Sequence, residues 1–334
     1  MDYKLRRVED LAVSMTDDEA IEALDIVTDR VAKSKVDNAP KDGIIHISDS
    51  AEELAEVEAE KGKFLGLSTG YTTLDNKMGG LEPGSVVLIG GETSNGKSML
   101  SLNIALNVAS EQGGFSNVLY LSLEMTRKQV WRRIREITRF DTEQLTSELD
   151  FSLQESFNID YNDIEPLVKR ATEENGCEVV FLDYLQYMGR GMTEKEVAKM
   201  SQVIKRIALK YQICFVVIVS LRKAGADLKN KRKWYDIEVE ELMGTAALGY
   251  DADVVAITSR KNLQNEFDPE KFFVKVLKTR NTRLDFDDRI VELKWDNMKI
   301  TEEWSEPVRP AITTGEQARE AFEGSEAGQG VPAH

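Results

Sequence analysis

Gly91-Glu92-Thr93-Ser94-Asn95-Gly96-Lys97-Ser98 fits the pattern G-x-x-x-x-G-K-[ST]. The apolar run Val86-Val87-Leu88-Ile89-Gly90 precedes it, and Met99, Leu100, Leu102, Ile104 and Ala105 follow at helical spacing. Strand, glycine-rich loop and helix are the context in which this pattern binds phosphate. Glycine lets backbone N–H groups turn inward onto phosphate oxygens. The helix N-terminus brings the positive end of its dipole to the same place. The expected nucleotide cradle is Gly91, Thr93, Ser94, Asn95, Gly96, Lys97, Ser98 and Met99. Lys97 would reach the β and γ phosphates of ATP, and Ser98 would ligate Mg²⁺.

Two further acids complete the chemistry expected of such a loop. Glu178-Val179-Val180-Phe181-Leu182 is an apolar run that ends in Asp183. At the carboxyl end of a strand Asp183 would face the loop and hold the metal with Ser98. Glu124 leaves the apolar run 118–122 just before Thr126 opens a helical pattern. Spacing alone leaves two roles open for it, a carboxylate that polarises the attacking water or a solvated acid capping that helix.

Around these motifs short apolar runs (86–90, 118–122, 179–182, 215–219) alternate with helical patterns from Lys97, over 127–139 and over 193–211. That alternation predicts an α/β domain, a mostly parallel sheet with helices on both faces. The later runs 254–257, 273–277 and 290–293 have little helix between them and predict C-terminal antiparallel strands. Residues 1–44 look like a short helical arm, with a capping box at Thr16-Asp17-Asp18-Glu19. A second helix over 45–63 has a stripe too thin to be stable alone in water. The nucleotide-binding domain is expected over 64–301. An acidic, Gly- and Ala-rich tail without order is expected over 302–334.

The 334 residues carry a net charge of -16, which argues at first against a nucleic-acid partner. The distribution changes that reading: residues 1–63 carry -8 and residues 301–334 carry -5, leaving -3 for the domain between them. A nearly neutral domain can still hold a basic patch. The only histidines are His46 and His334, both outside that domain, which excludes a histidine triad or a His-rich metal site within it. Cys177 and Cys214 sit in or beside apolar runs and read as buried free thiols of a reducing cytosol. No apolar stretch approaches the roughly 18 residues of a membrane span, and the N-terminus lacks a secretory pattern.

Together these residues resemble the hexameric, RecA-like replicative helicases of the DnaB type. The likeness runs from about Ile45 to Ile300. Ser68-Thr69-Gly70-Tyr71-Thr72-Thr73-Leu74-Asp75 looks like the family's entry to its ATPase domain, and Leu121-Ser122-Leu123-Glu124-Met125 like its S-L-E-M signature. The resemblance therefore implies that Glu124 is the catalytic base, and that Arg133 occupies the place of a family arginine at the nucleotide. Asp183-Tyr184-Leu185-Gln186 is similar to the D-Y-L-Q segment, and Asp251-Ala252-Asp253-Val254-Val255 to D-A-D-V-V. Lys278-Thr279-Arg280-Asn281 looks like K-Q-R-N, whose lysine and arginine reach the neighbouring subunit's nucleotide in the family. The other reading of Arg280 is a surface ion pair with Asp285 or Asp287.

Three departures stand beside the likeness. Leu221 takes the place of the family's γ-phosphate-sensing glutamine. Met243 stands near an arginine position in the DNA-holding loop, which here includes Gly244 and Thr245. The family's N-terminal helical domain is expected to be lacking, because only about 40 residues precede Ile45.

The segment 222–233 holds six basic residues and one acid. Most charge runs are solvated faces. Here the family's corresponding region borders a central pore, so Lys229, Lys231, Arg232 and Lys233 are expected to track a single-strand backbone, with Arg190 on another pore loop. Trp234 and Tyr235, which follow, are expected to pack.

The resemblance thus implies an ATP- and Mg²⁺-dependent DNA helicase, a homo-hexamer on single-stranded DNA. A bacterial or phage-infected cytoplasm is its expected location, and a primase or helicase loader is the kind of partner it would have. A RecA-like strand-exchange ATPase and a helicase-regulating ATPase or loader stay open as alternatives.

Overall fold

The computed structural model describes residues 66–110, 116–155, 159–183, 185, 193–221, 233–242, 246–280, 282 and 289–302. The expected arm, the helix over 45–63 and the acidic tail lie outside the described residues, apart from Glu302. So do Arg190, Lys229, Lys231, Arg232, Met243, Gly244 and Thr245.

Among the described residues, nine strands form one sheet in the order β3-β2-β4-β5-β1-β6-β7-β8-β9. β1 (Val86–Gly90), β2 (Asn117–Ser122), β3 (Phe151–Glu155), β4 (Cys177–Asp183), β5 (Cys214–Ile218) and β6 (Val254–Ser259) run parallel. β7 (Lys271–Thr279), β8 (Ile290–Asp296) and β9 (Lys299–Thr301) extend the sheet antiparallel. The apolar runs of β1, β2, β5 and β6 are buried on both faces, as parallel strands under two helical layers must be.

One layer contains α1 (Thr72–Met78), α2 (Lys97–Ala109) and α3 (Arg127–Thr138). Their apolar residues pack with Val87, Ile89, Phe181 and Val216. The opposite layer contains α5 (Ile164–Asn175), α6 (Glu194–Tyr211) and α7 (Ala246–Asp251), which pack with Val86, Leu88, Val180 and Phe215. α4 (Thr142–Ser147) precedes β3. Residues alternate between the two layers along each strand because successive side chains point to opposite faces.

α6 shows how the sequence makes such an element. Thr193 and Glu196 form a capping box, and Val197, Met200, Ile204 and Ile207 fall on one face and are buried. Each full burial of such a side chain contributes roughly 1.5–3 kcal/mol.

The expected strands and the helices from Lys97, near Arg127 and near Thr193 are all present. The apolar pattern does not predict β3 and β9, which are short and half polar, or α1, a seven-residue helix. Trp234 is buried and tilts against Phe273, so it packs as expected. Cys177 and Cys214 are free and buried, and burial pushes both thiols up to about 12.

Candidate active site

Parallel order brings the carboxyl ends of β1, β2 and β4 to one edge of the sheet, where open α/β sheets bind ligands. β1 runs into the glycine-rich loop, and Gly96 begins α2 with φ +79°. A side chain at Gly96 would have its Cβ within 2.4 Å of the Phe272 ring. Space and conformation therefore both demand glycine there. Ser94 also has positive φ, +67°. Alternating left- and right-handed residues of this kind form the concave amide surface that holds anions.

The Lys97 ammonium donates to the carbonyl oxygens of Gly91 at 2.9 Å and Glu92 at 2.8 Å. It thus rests on its own loop. Burial pulls its pKa down, and Asp183, Glu124 and Glu92 oppose that shift. Two of these acids, Asp183 and Glu124, lie outside the loop.

Ser98 Oγ donates to Asp183 Oδ1 at 2.9 Å, joining two residues 85 positions apart. Asp183 is fully buried, and burial pushes its carboxyl up. Hydrogen bonds from Tyr120 and Ser98 and the nearby Arg133 oppose this. Tyr120 donates its hydroxyl to Asp183 Oδ2 at 2.9 Å. Its ring stacks on Phe151 and Phe181. Sequence reading missed Tyr120, although a lone phenol within the apolar run 118–122 is a signal of a buried polar partner.

Glu124 is exposed at the turn after β2. Ser122 Oγ donates to the Met125 carbonyl at 2.7 Å and accepts from its N–H at 3.2 Å. That clasp presents Glu124 between the buried Leu123 and Met125. The cap of α3 is Thr126 with Gln129, not Glu124, so the capping role left open by the sequence falls to another residue. Arg133 lies two turns into α3 and is half-buried. Thr93, Asn95 and Met99 all lie in the loop and first turn as expected.

Lys278 and Arg280 are not part of this assembly. β7 is antiparallel, so its end lies beside the start of β6, at the opposite edge of the sheet. Arg280 pairs with Asp253, Nη1 to Oδ1 at 3.1 Å, and donates from Nη2 to the Tyr250 carbonyl at 2.9 Å. Its ion-pair partner is thus 27 positions earlier in the chain. Asp285 and Asp287 lie outside the described residues. Lys278 donates to the carbonyls of Gly249, Tyr250 and Ala252 at the end of α7. Leu221, the departure from the family pattern, bridges to Leu242. Lys233 lies beside the Tyr235 ring, 5.2 Å from its centroid.

Comparison with known proteins adds to this geometry. The model of the DnaB-like helicase C-terminal domain matches residues 66–146 and 135–300. The replicative DNA helicase DnaB of Geobacillus stearothermophilus is 25% identical over 268 residues, covering 72% of this chain and 57% of the relative. A probable plasmid replicative DNA helicase of Chlamydia psittaci is 27% identical over 225 residues, 60% of this chain and 48% of the relative. The chain therefore spans about half the length of the curated relatives it matches. Among solved structures, one described as an ATPase domain superposes with a TM-score of 0.66 at 18% identity, covering 78% of this chain and all of that one. A DnaB-like replicative helicase, solved for its interactions with primase, gives 0.63 at 18% identity over 91% of this chain and 77% of that one. The fold is that of RecA-like helicase ATPase domains.

Proposed function

The chain belongs to the DnaB-like helicase C-terminal domain family, and from that premise we propose that it is the ATP-hydrolysing motor of a replicative DNA helicase. One observation carries this reading. The phosphate loop, Asp183 and Glu124 occupy one edge of the sheet, while Arg280 and Lys278 occupy the other. A subunit so built supplies a phosphate site on one side and cations for a neighbour's site on the other. Identical subunits related this way assemble head to tail, and they close into a ring when the rotation permits, here a homo-hexamer.

The residues fit a magnesium nucleotide. Ser98 Oγ and the Asp183 carboxylate are adjacent hard oxygens on a buried support, the donor set of Mg²⁺. When bound, the metal neutralises phosphate charge. Lys97 leaves the Gly91 and Glu92 carbonyls for the phosphate oxygens. Glu124 orients a water for in-line attack and takes its proton, and Arg133 adds positive charge beside the same phosphates. Arg280, with Lys278, stabilises the charge that develops at the neighbour's nucleotide.

DNA contacts are assigned by charge to Lys229, Lys231, Arg232, Lys233 and Arg190, and by the family resemblance to Gly244 and Thr245. Single-stranded DNA is the substrate track, a primase or helicase loader the accessory partner, and the cytoplasm the location. Among the described residues no helix is long and apolar enough to cross a membrane.

The test is whether purified protein with ATP and Mg²⁺ separates a forked duplex, with Lys97→Ala as the inactive control. The Leu221–Leu242 bridge, apolar where the family has a sensing glutamine, favours a second reading as an ATPase that regulates another helicase. Hydrolysis stimulated by DNA but without strand separation would select it.

A further inference from the structure

Asp253, the residue before β6, is a buried carboxylate with each oxygen committed. Oδ2 accepts the Val86 backbone N–H at 2.8 Å and the Lys205 ammonium at 2.6 Å. Oδ1 accepts Arg280 Nη1 at 3.1 Å. The backbone repeats the connection: the Arg280 N–H donates to the Asp253 carbonyl at 3.0 Å, and the Asp253 N–H to the Val86 carbonyl at 2.9 Å.

Val86 and Lys205 between them satisfy Oδ2, which leaves Oδ1 for Arg280. The Arg280 side chain is 51% exposed while that of Asp253 is 9% exposed, so a fixed buried group grips an exposed one. Among the described residues, Asp253 and the Tyr250 carbonyl hold two of the five N–H donors of the guanidinium. Val86 opens β1, and β1 ends at the phosphate loop. The carboxylate therefore references Arg280 to the strand that carries the same subunit's loop.

We propose that Asp253 is a positioning residue that holds the Arg280 guanidinium in place for the neighbouring copy's nucleotide. The inference rests on the reading of Arg280 as a residue acting between subunits. An unrestrained arginine has rotamer entropy to lose when it engages, and a charged group misplaced by about 1 Å can cost on the order of 10² in rate. A carboxylate that orders the side chain beforehand removes both losses.

Asp253→Asn keeps the size and one acceptor but removes the charge. Expected is a kcat for ATP hydrolysis lower by about 10- to 100-fold, with KM for ATP within about twofold, because the subunit's own phosphate loop is untouched. Mixed under subunit exchange with Lys97→Ala, which brings an intact Arg280, Asp253→Asn should recover up to about a quarter of the parent rate, the share of composite interfaces in a random mixture. Mixed with Arg280→Ala it should recover none.

A parental rate for Asp253→Asn beside an inactive Arg280→Ala overturns the proposal alone. A fully active Arg280→Ala overturns the intersubunit reading beneath it. An inactive Asp253→Asn that Lys97→Ala does not rescue assigns the carboxylate to its own subunit's fold and overturns the proposal. If Asp253→Asn does not fold, Asp253→Glu retains the charge for Lys205 and displaces it by one methylene. The same loss and rescue are expected, and a parental rate, no rescue or a second failure to fold counts against the proposal.

Discussion

At the scale of single residues, the division between Lys97, Asp183 and Glu124 follows from burial. Asp183 sits in the protein interior, where only hydrogen bonds from Ser98 and Tyr120 and nearby positive charge make a carboxylate tolerable. It is built to hold still. Glu124 is exposed on a clasped turn and meets water. In the proposed reading, proton transfer therefore falls to Glu124. Glu124→Gln should bind ATP with parental affinity and hydrolyse it at least about 10²-fold more slowly, since an amide cannot take the proton. Nucleotide binding followed by fluorescence and single-turnover hydrolysis check this together. Turnover at the parent rate would leave Glu124 as a surface acid. Tyr120→Phe acts on the other member of the pair. It removes the donor to Asp183 Oδ2 and leaves a buried acceptor without that bond.

At the scale of elements, α1 shows a cap supplied from far along the chain. Its N-cap residue, Tyr71, makes no side-chain cap bond. Glu302, just past β9, accepts from the N–H groups of Thr72 at 2.8 Å and Thr73 at 2.7 Å. Tyr71 in turn donates its hydroxyl to the Ile300 carbonyl at 3.1 Å. β9 and α1 thus fasten each other, and a carboxylate also suits the positive end of the helix. Glu302→Ala should lower stability by about 1 kcal/mol, in the range of other lost N-caps. Urea unfolding should show the midpoint falling with m unchanged. A midpoint equal to the parent's would mean water replaces the carboxylate without loss. Rearrangement at this element is separate from the phosphate loop, so ATP binding should be retained.

At the scale of the whole molecule, charge is partitioned along the chain. Most of the net -16 lies in the two terminal stretches, while the basic segment 222–233 belongs to a domain of net -3. A cluster of like charges in a nearly neutral stretch of sequence is what a polyanion would meet. Neutralising Lys229, Lys231, Arg232 and Lys233 together should weaken single-strand binding. The slope of log K against log salt should fall by about 0.7 for each phosphate that is no longer neutralised. Fluorescence anisotropy at several salt concentrations measures it, with ATPase in the absence of DNA as the control that should persist. An unchanged slope would make the segment a solvated surface.

The phosphate loop, the parallel α/β order and Asp183 were legible in the chain because each rests on local spacing. A strand, a turn and a helix within about 25 residues carry their own pattern, and a buried parallel strand announces itself as an unbroken apolar run. Lys97, Ser98, Glu124 and Asp183 could be named on that basis, aided by the family likeness for Glu124. What joins residues distant in sequence was not legible. The Ser98–Asp183 bond spans 85 positions, Tyr120 reaches Asp183 across 63, and Arg280 reaches Asp253 across 27. β3 and β9 exist because neighbouring strands offer unpaired backbone groups, a demand that no local apolar pattern records. The sequence by itself determined which residues form the glycine-rich loop and which strand bears the acid. Only the tertiary structure decided that Arg280 lies on the opposite edge from its own loop, because strand order and direction are properties of the assembled sheet rather than of any one segment.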